Sequence, residues 1–167
     1  RAIEQGIPHP VEIEDYTVFT LTAAYMAGSL GLPFMPTKSA MGSDIEKRRT
    51  FLGESKMKVI ECPFTGEKVC LVPGIRHDVG ILQVHRADER GNAQVWGLLG
   101  DSRFGINACE KVIICAEEIV DAETIRAEQN RTVIPGFKVN AVVRQPWGAH
   151  PSYMQGLYGL DAEVWRE

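Results

Sequence analysis

The sequence predicts an α/β fold in which a mostly parallel sheet is flanked by helices, and we expect a single domain over residues 1–167. Three observations support this class. Apolar runs of strand length alternate with short capped segments along the chain. The run at residues 79–86 is nearly continuous, which suits burial on both faces, and the run at residues 112–116 has the pattern of a central strand. A chain of 167 residues is also long enough for one domain with a substantial core.

The N-terminal residues are expected to contain two helical segments separated by an extended one. Residues 1–8 lack an initiator Met and resemble the end of a helix entered in mid-course, with Gly6 as its stop. Two prolines exclude a helix from residues 7–14. Asp15 is the expected N-cap of a largely buried helix over residues 16–30, whose apolar residues cover more than one stripe.

Two segments after this helix are predicted to lack regular structure. Residues 32–43 contain two prolines, one lysine and small hydroxyl residues, so we expect either a plain surface loop or a loop that faces a ligand. In the second case Thr37, Ser39 and the amides near Gly42 would donate hydrogen bonds. Residues 44–56 are charged, and we expect a solvated face or a flexible link there.

Strands are predicted to dominate the remainder of the chain. A hairpin is expected around the turn at residues 63–67, and a second turn lies at residues 88–92. The predicted strands are residues 57–61, 69–72, 79–86, 93–96, 112–116, 132–134 and 139–143. The segment at residues 146–159 is aromatic and contains too many glycines for regular structure.

Two short helices are predicted among these strands. Asp101 or Ser102 would cap the first, which ends near Cys109, and Asp121 would cap the second. Helix N-termini attract anions, so Ser102 and Arg103 would suit a carboxylate or a phosphate. The alternative is an N-cap beside a surface arginine.

Composition and charge narrow the classes of function. A net charge of −4 gives no basic surface for nucleic acid or an anionic membrane, and no apolar stretch is long enough to span a bilayer. Cys70 and Cys115 border or lie in apolar runs, and no C-x-x-C pair or signal peptide is present. We therefore expect free, buried thiols in a reduced cytoplasm.

Few residues form a pattern with catalytic chemistry. Glu117 and Glu118 follow the strand at residues 112–116, and a carboxylate there would face a crevice with its pKa raised by its neighbour. Alternatively, the two side chains point to opposite faces, so that one is solvated and the other pairs with an arginine such as Arg126 or caps a helix. The four histidines are too scattered to define a metal site, and no complete catalytic constellation is present.

Five motifs occur in order along nearly the whole chain. They are L-P-F-M-P-T-K-S (residues 32–39), G-S-D (42–44), A-D-E-R-G-N (87–92), E-E-I-V (117–120) and G-A-H-P-S-Y (148–153). In this combination the sequence resembles the α (A) subunit of family I coenzyme A transferases, in particular the glutaconate CoA-transferase branch.

This resemblance implies a fold and a reaction. The fold would be the α/β fold that the family shares with some sugar-phosphate isomerases, and the chain would act in an A–B pair. CoA would pass from an acyl-CoA to a carboxylic acid through a glutamyl-CoA intermediate. The nucleophilic glutamate would belong to the B subunit, so Glu117 and Glu118 would be structural and no catalytic residue is expected in this chain. Coenzyme A thioester would be a substrate, with no separate cofactor and no metal.

By the same resemblance, the A subunit completes the acyl-binding cleft. The candidate substrate-binding residues are Thr37, Lys38, Ser39, Ser102 and Arg103. The family's A subunit normally begins with a Gly-rich strand-and-turn region and further βα units, so the chain is expected to be a C-terminal portion whose N-terminal part is missing. An incomplete sheet would have an unpaired edge, and we expect the chain to need a partner or the missing part for stability.

The sequence is also compatible with two other functions. The same scaffold would also suit a CoA-thioester hydrolase or a ring-opening enzyme, in which water replaces the acceptor acid. A non-catalytic binding subunit is the third alternative, and the presence or absence of a partner with a catalytic glutamate would separate it from the other two.

Overall fold

The computed structural model describes residues 2–48 and 54–164. The chain divides into two compact units, Arg1–Ile75 and Arg76–Glu167, where the sequence predicts a single domain. Each unit contains a sheet with helices beside it, and the predicted α/β class is confirmed. The prediction of a mostly parallel sheet is wrong, because two strand pairings in the described ranges are parallel and four are antiparallel. Among the described residues, no helix has the length and apolar character needed to cross a membrane.

The first unit contains a three-stranded antiparallel sheet. Its helices are α1 (Ala2–Gln5), α2 (Val18–Ser29) and α3 (Asp44–Lys47), and its strands are β1 (Phe34–Thr37), β2 (Lys58–Glu61) and β3 (Lys68–Pro73). Strand β3 lies in the middle, between β1 and β2. The antiparallel β2–β3 pair confirms the predicted hairpin. Helix α1 ends before Gly6, whose φ of 67° suits the predicted stop.

Strand β1 corrects the prediction of a loop over residues 32–43. It pairs with β3 in a register that runs from Phe34 opposite Pro73 to Thr37 opposite Cys70. Its position at the edge of the sheet explains why Pro36 is tolerated, because an edge strand can leave one side of its backbone without ladder hydrogen bonds.

Helix α2 differs from its prediction in its cap and in its burial. The N-cap is Thr17 and not Asp15, because Thr17 and Thr20 form a reciprocal capping box in which each hydroxyl accepts from the other's backbone amide, at 3.0 and 2.9 Å. The prediction of a largely buried helix is wrong, since Val18 and Phe19 are 78% and 58% exposed. The buried stripe consists of small residues: Thr20, Ala23, Ala24, Ala27 and Gly28.

The charged segment at residues 44–56 is not uniformly solvated. Residues 49–53 lie outside the described residues, but Lys56 is buried with 2% exposure, which corrects the prediction at that end. Its ammonium lies 3.6 Å from the centre of the Tyr16 ring and 3.9 Å from the Glu14 carboxylate. These contacts offset part of the desolvation of the charge, and burial lowers the pKa of Lys56.

The second unit contains a five-stranded mixed sheet in the order β7-β5-β4-β6-β8. Its strands are β4 (His77–Ala87), β5 (Ala93–Gln94), β6 (Cys109–Ile119), β7 (Thr132–Ile134) and β8 (Ala141–Arg144), and its helices are α4 (Ser102–Gly105) and α5 (Ala122–Ala127). The β4–β6 and β6–β8 pairings are parallel, whereas the short β5 and β7 pair antiparallel at one edge. The predicted strand at residues 112–116 is confirmed as the middle of β6.

One face of this sheet carries the hydrophobic core of the unit. Val84 on β4 and Ile114 on β6 are fully buried there. The predicted burial of both faces at residues 79–86 is wrong for the first half of β4, because Val79 and Ile81 on the other face are 49% and 69% exposed. In the second half of β4 polar residues lie on that face, and the segment after β8 packs against them.

The turn between β4 and β5 is built on a buried carboxylate. Asp88, with 3% exposure, accepts hydrogen bonds from the backbone amides of Arg90 and Asn92 and from the Asn92 side chain, at 2.7 to 3.0 Å. Gly91 adopts a φ of 87°, which favours glycine. Asn92 Oδ1 accepts from the Gly136 amide at 2.9 Å and so joins the turn to the segment after β7. The A-D-E-R-G-N motif therefore fixes backbone geometry.

The two predicted caps of the short helices have different outcomes. Asp121 caps α5 as predicted, since its carboxylate accepts from the Thr124 amide at 2.7 Å. Asp101 stands at the N-cap position of α4, as one alternative predicts, but its side chain makes no capping hydrogen bond, and Ser102 is the first helical residue. Helix α4 has four residues and continues as a 3-10 helix to Ala108.

All four cysteines are free thiols, as predicted. Cys70 is fully buried, and its burial raises the pKa of the thiol. Cys115 is only half-buried, so the predicted burial is confirmed for the first and not for the second.

Candidate functional site

The candidate site is a cavity of about 300 Å³ in the second unit. One side is formed by Gln83 and His85, which lie on the face of β4 opposite the core. Trp96, after β5, forms a second side, and residues 152–155 of the segment after β8 form a third. The lining combines apolar and aromatic surface with amides, three hydroxyls and an imidazole, as in small-ligand pockets.

His85 is held in a single orientation at this cavity. Its ring stacks on Trp96 with 3.8 Å between ring centres and an interplanar angle of 27°. The Trp96 amide donates to Nδ1 at 3.4 Å, so Nε2 carries the proton and donates to the Gln155 carbonyl at 2.9 Å. Burial lowers the pKa of His85 below its ordinary value, so the ring is neutral at pH 7.

Two arginines lie over the ring system of Trp96. The guanidinium carbons of Arg86 and Arg131 lie 5.6 and 4.9 Å from the centre of an indole ring. Glu128 bridges the two arginines at 2.5 and 3.3 Å. Arg86 also donates to the side chain of buried Gln94 at 2.8 Å, so its guanidinium has a structural role.

Glu117 lies at the end of β6 and joins the sheet to the segment after β8. Its Oε1 accepts from the Tyr158 hydroxyl at 2.5 Å and from the Gln83 amide at 2.8 Å. Its Oε2 accepts from the Trp147 backbone amide at 2.7 Å. Tyr158 also stacks on Trp147 with ring centres 4.5 Å apart. The carboxylate therefore accepts three hydrogen bonds, one from β4 and two from the segment after β8.

The two neighbouring glutamates divide as one of the sequence alternatives predicts. Glu118 is exposed, whereas Glu117 is half-buried and bonded. The suggested pairing with Arg126 is wrong, because the bonded glutamate, Glu117, accepts from Gln83, Trp147 and Tyr158 instead.

The predicted substrate-binding residues fall into two groups. Ser102 lines the cavity, and Arg103 is exposed on the same short helix. Thr37, Lys38 and Ser39 lie at and just after the end of β1 in the first unit, where the Thr37 hydroxyl accepts from the Ser39 amide at 2.9 Å. Lys38 forms an exposed ion pair with Glu67 at 2.8 Å, which lowers the pKa of that carboxyl by a hydrogen bond and by charge.

Sequence reasoning missed most of the cavity. His85, Trp96 and Gln155 were not candidates, and only the alternation of Gln83 and His85 with apolar residues on β4 marked this face as polar. The motif at residues 148–153 was the other available signal, because it provides part of the third side. Among the described residues, no group of three His, Cys, Asp or Glu side chains is placed to hold a metal ion.

Comparison with known proteins gives consistent matches. A model described as "Coenzyme A transferase" matches residues 5–145. The chain is 38% identical over 160 residues to the A subunit of a 3-oxoadipate CoA-transferase of Pseudomonas knackmussii, covering 96% of this chain and 54% of that protein. The structure superposes on glutaconate coenzyme A-transferase from Acidaminococcus fermentans with a TM-score of 0.80 and 34% identity, covering 90% of this chain and 51% of that one.

A third match has a different reaction in its name. A variant of the decarboxylase AibA/AibB superposes with a TM-score of 0.78 and 32% identity, covering 99% of this chain and 57% of that one. The chain thus spans about half the length of the curated relatives it matches. Because the family model covers most of the sequence, this chain belongs to the coenzyme A transferase family.

Proposed function

We propose that this chain is part of the A subunit of an acyl-CoA:carboxylate CoA-transferase. The proposal rests on two findings that agree. The family model matches residues 5–145, and two relatives that are 38% and 36% identical to this chain are named as A subunits of CoA-transferases. The superposition on glutaconate CoA-transferase, to which the relative at 36% identity belongs, extends this agreement from sequence to fold. The partner is a B subunit, and the substrates are an acyl-CoA and a carboxylic acid.

The reaction proceeds by covalent exchange on a glutamate of the B subunit. The glutamate oxygen attacks the thioester carbonyl, the C–S bond breaks with its electron pair on sulfur, and an acyl-glutamyl anhydride and CoA thiolate result. The thiolate then attacks the glutamyl carbonyl and releases the acyl group as a carboxylate, leaving a glutamyl-CoA thioester. The acceptor carboxylate reverses the two steps and leaves as the new acyl-CoA. Coenzyme A enters and leaves as a substrate.

The A subunit's share is to bind the acyl part of the substrates. The cavity of about 300 Å³ has the size and mixed lining for a short acyl chain with a polar end, and Ser102 contributes a hydroxyl to it. We assign Arg103 a role beside Ser102 as a cation for a substrate carboxylate. Thr37, Lys38 and Ser39 are proposed as a second substrate-binding group in the first unit, with Lys38 as its cation.

A different acyl-CoA reaction on the same scaffold is the second candidate. It is favoured by the decarboxylase that shares 32% identity with this chain. The hydrolase and ring-opening alternatives belong to the same class, since none of these reactions needs an acceptor acid. A binding subunit without turnover is the remaining alternative.

The complete A–B complex distinguishes these functions. The complex is incubated with an acyl-CoA, with and without a second carboxylic acid, and the CoA esters are measured by mass spectrometry. A transferase forms the acceptor's CoA ester only when the acceptor is present and releases little free CoA. Equal loss of the acyl-CoA in both samples would reject CoA transfer in favour of the second candidate.

A further inference from the structure

The segment after β8 forms one side of the cavity and is held to the sheet by side-chain hydrogen bonds. Apart from the bridge between Met154 and Tyr158, residues 145–158 form no strand. Its position therefore depends on a few contacts to the sheet: side-chain bonds of Glu117, Gln83 and His85, and a backbone bond from the Gln145 amide to the Ala116 carbonyl at 2.7 Å.

Among the described residues, Glu117 accepts more hydrogen bonds from the segment than any other side chain of the sheet. Besides the three donors described above, Tyr158 extends the network, because its hydroxyl also accepts from the Ala149 amide at 3.1 Å. Gln83 extends it on the other side by donating to the Gln145 carbonyl at 2.9 Å. Glu117 thus connects both ends of the segment to β4 and β6.

The fit between the segment and the sheet is close at this point. A Cβ on Gly148 would lie 2.2 Å from the Gln83 side-chain oxygen, so a larger residue there would force the Gln83 amide out of its present position. Residues 149–155 continue from there to the cavity, where Ala149, Ser152, Tyr153, Met154 and Gln155 form its wall. A shift of the Glu117 network therefore moves the cavity wall.

The chemistry of the network requires a carboxylate. All three groups that face Glu117 are donors: a phenol, a primary amide and a backbone amide. A carboxylate is acceptor-only, whereas a glutamine would turn its own NH₂ group toward one of these donors. Burial and the hydrogen bond to Glu117 raise the pKa of Tyr158, which keeps the phenol protonated as a donor.

We propose that Glu117 is a positioning residue of the acyl-binding cavity, which sets the wall at residues 149–155 through Tyr158, Trp147 and Gln83. The kinetic part of this inference rests on the proposed function. The structural part, which is the attachment of the segment, does not.

The test compares E117Q with E118Q in the complete A–B complex. Both variants remove one negative charge from adjacent residues of β6, but Glu118 is exposed and has no side-chain contact among the described hydrogen bonds and ion pairs. Y158F removes the phenol donor and leaves Glu117 in place, so it tests the same network from its other end if E117Q fails to fold.

Two measurements are made on each variant. The first is hydrogen–deuterium exchange of the Trp147 and Ala149 amides, which donate to this network. The second is the steady-state KM for acyl-CoA and kcat for transfer. For E117Q and Y158F we expect amide exchange and KM to rise about tenfold, as for the loss of a hydrogen bond to a charged group, with kcat within about twofold of wild type. E118Q is expected to behave as wild type.

Each contrary result has a distinct meaning. Equal exchange in E117Q and E118Q would reject the attachment, whether or not the complex is active. Faster exchange with an unchanged KM would reject the link to substrate binding. Loss of kcat and of the glutamyl-CoA adduct in folded E117Q would place Glu117 in the chemistry and overturn its positioning role. A wild-type complex without CoA transfer would reject the proposed function, and acyl-CoA affinity measured by calorimetry would then replace KM.

Discussion

Replacement of Asp88 by alanine tests how the motif at residues 87–92 works. In the native turn the Asp88 carboxylate accepts two backbone amides and one side-chain amide. Alanine removes all three hydrogen bonds and leaves the Arg90 and Asn92 donors without this acceptor. It also loosens Asn92, whose side chain bonds the Gly136 amide across to the segment after β7.

The size of this effect follows from the three bonds. Each hydrogen bond to a charged acceptor contributes about 1.5 kcal/mol or more, and water at the turn recovers part of the loss. We expect D88A to lower the free energy of unfolding by about 3 kcal/mol. D88N keeps one oxygen for the two backbone amides and loses only the bond from the Asn92 side chain, for a cost of about 1 to 2 kcal/mol.

Urea denaturation of the purified protein measures these differences. With a slope of about 2 kcal/mol per molar urea, the midpoint of D88A is expected about 1.5 M below wild type. E89Q is the matched control, because Glu89 is the exposed neighbour in the same turn and its replacement should change stability by less than about 0.5 kcal/mol. A loss below about 1 kcal/mol in D88A would refute the structural role given to this carboxylate.

Three further perturbations test other parts of the molecule. G91A places a Cβ 2.7 Å from Val139 at a positive φ, and we expect it to lower the free energy of unfolding by about 3 kcal/mol. G100A also has a positive φ but open space around the new Cβ, so it should lower that free energy by only about 1 kcal/mol. Equal losses in urea unfolding would contradict the steric reasoning. Burial lowers the pKa of His85, so the unfolded chain binds a proton that the folded chain does not. The free energy of unfolding should therefore fall as the pH drops below about 6.5, with a weaker slope in H85Q; an unchanged slope in that variant would show that His85 is not responsible. K38A should raise the KM for the carboxylic acid and leave stability unchanged. E67Q breaks the same ion pair but keeps the Lys38 cation, so its KM should stay near that of wild type. A KM that rises equally in both variants would reject Lys38 as a substrate ligand.

The parts of the fold that the sequence predicts are those encoded locally. The strand at residues 112–116 is recognisable because its apolar run is unbroken, and the Asp121 cap because its acceptor lies three residues before its donor. The Thr17 cap was missed because Asp15 is the stronger capping residue by type, and the reciprocal Thr17–Thr20 pair decides the start of the helix.

The parts that escaped prediction depend on distant pairing. Strand β1 contains a proline and has little strand character by itself, and it exists because β3 offers an edge. The cavity joins His85 to Gln155, which are 70 residues apart in the sequence, through a segment without regular structure. Lys56 was assigned to a charged surface because its partners, Tyr16 and Glu14, lie about forty residues earlier. No local pattern contains these contacts.

The most direct test of the central claim is intact-mass spectrometry of both chains after the A–B complex has reacted with an acyl-CoA. We expect that a CoA adduct forms on the B subunit, that this chain keeps its unmodified mass, and that added acceptor acid discharges the adduct. A CoA adduct on this chain, or turnover with no adduct on either chain, would contradict the proposal that this chain binds substrate in a CoA-transferase whose nucleophile lies on the B subunit.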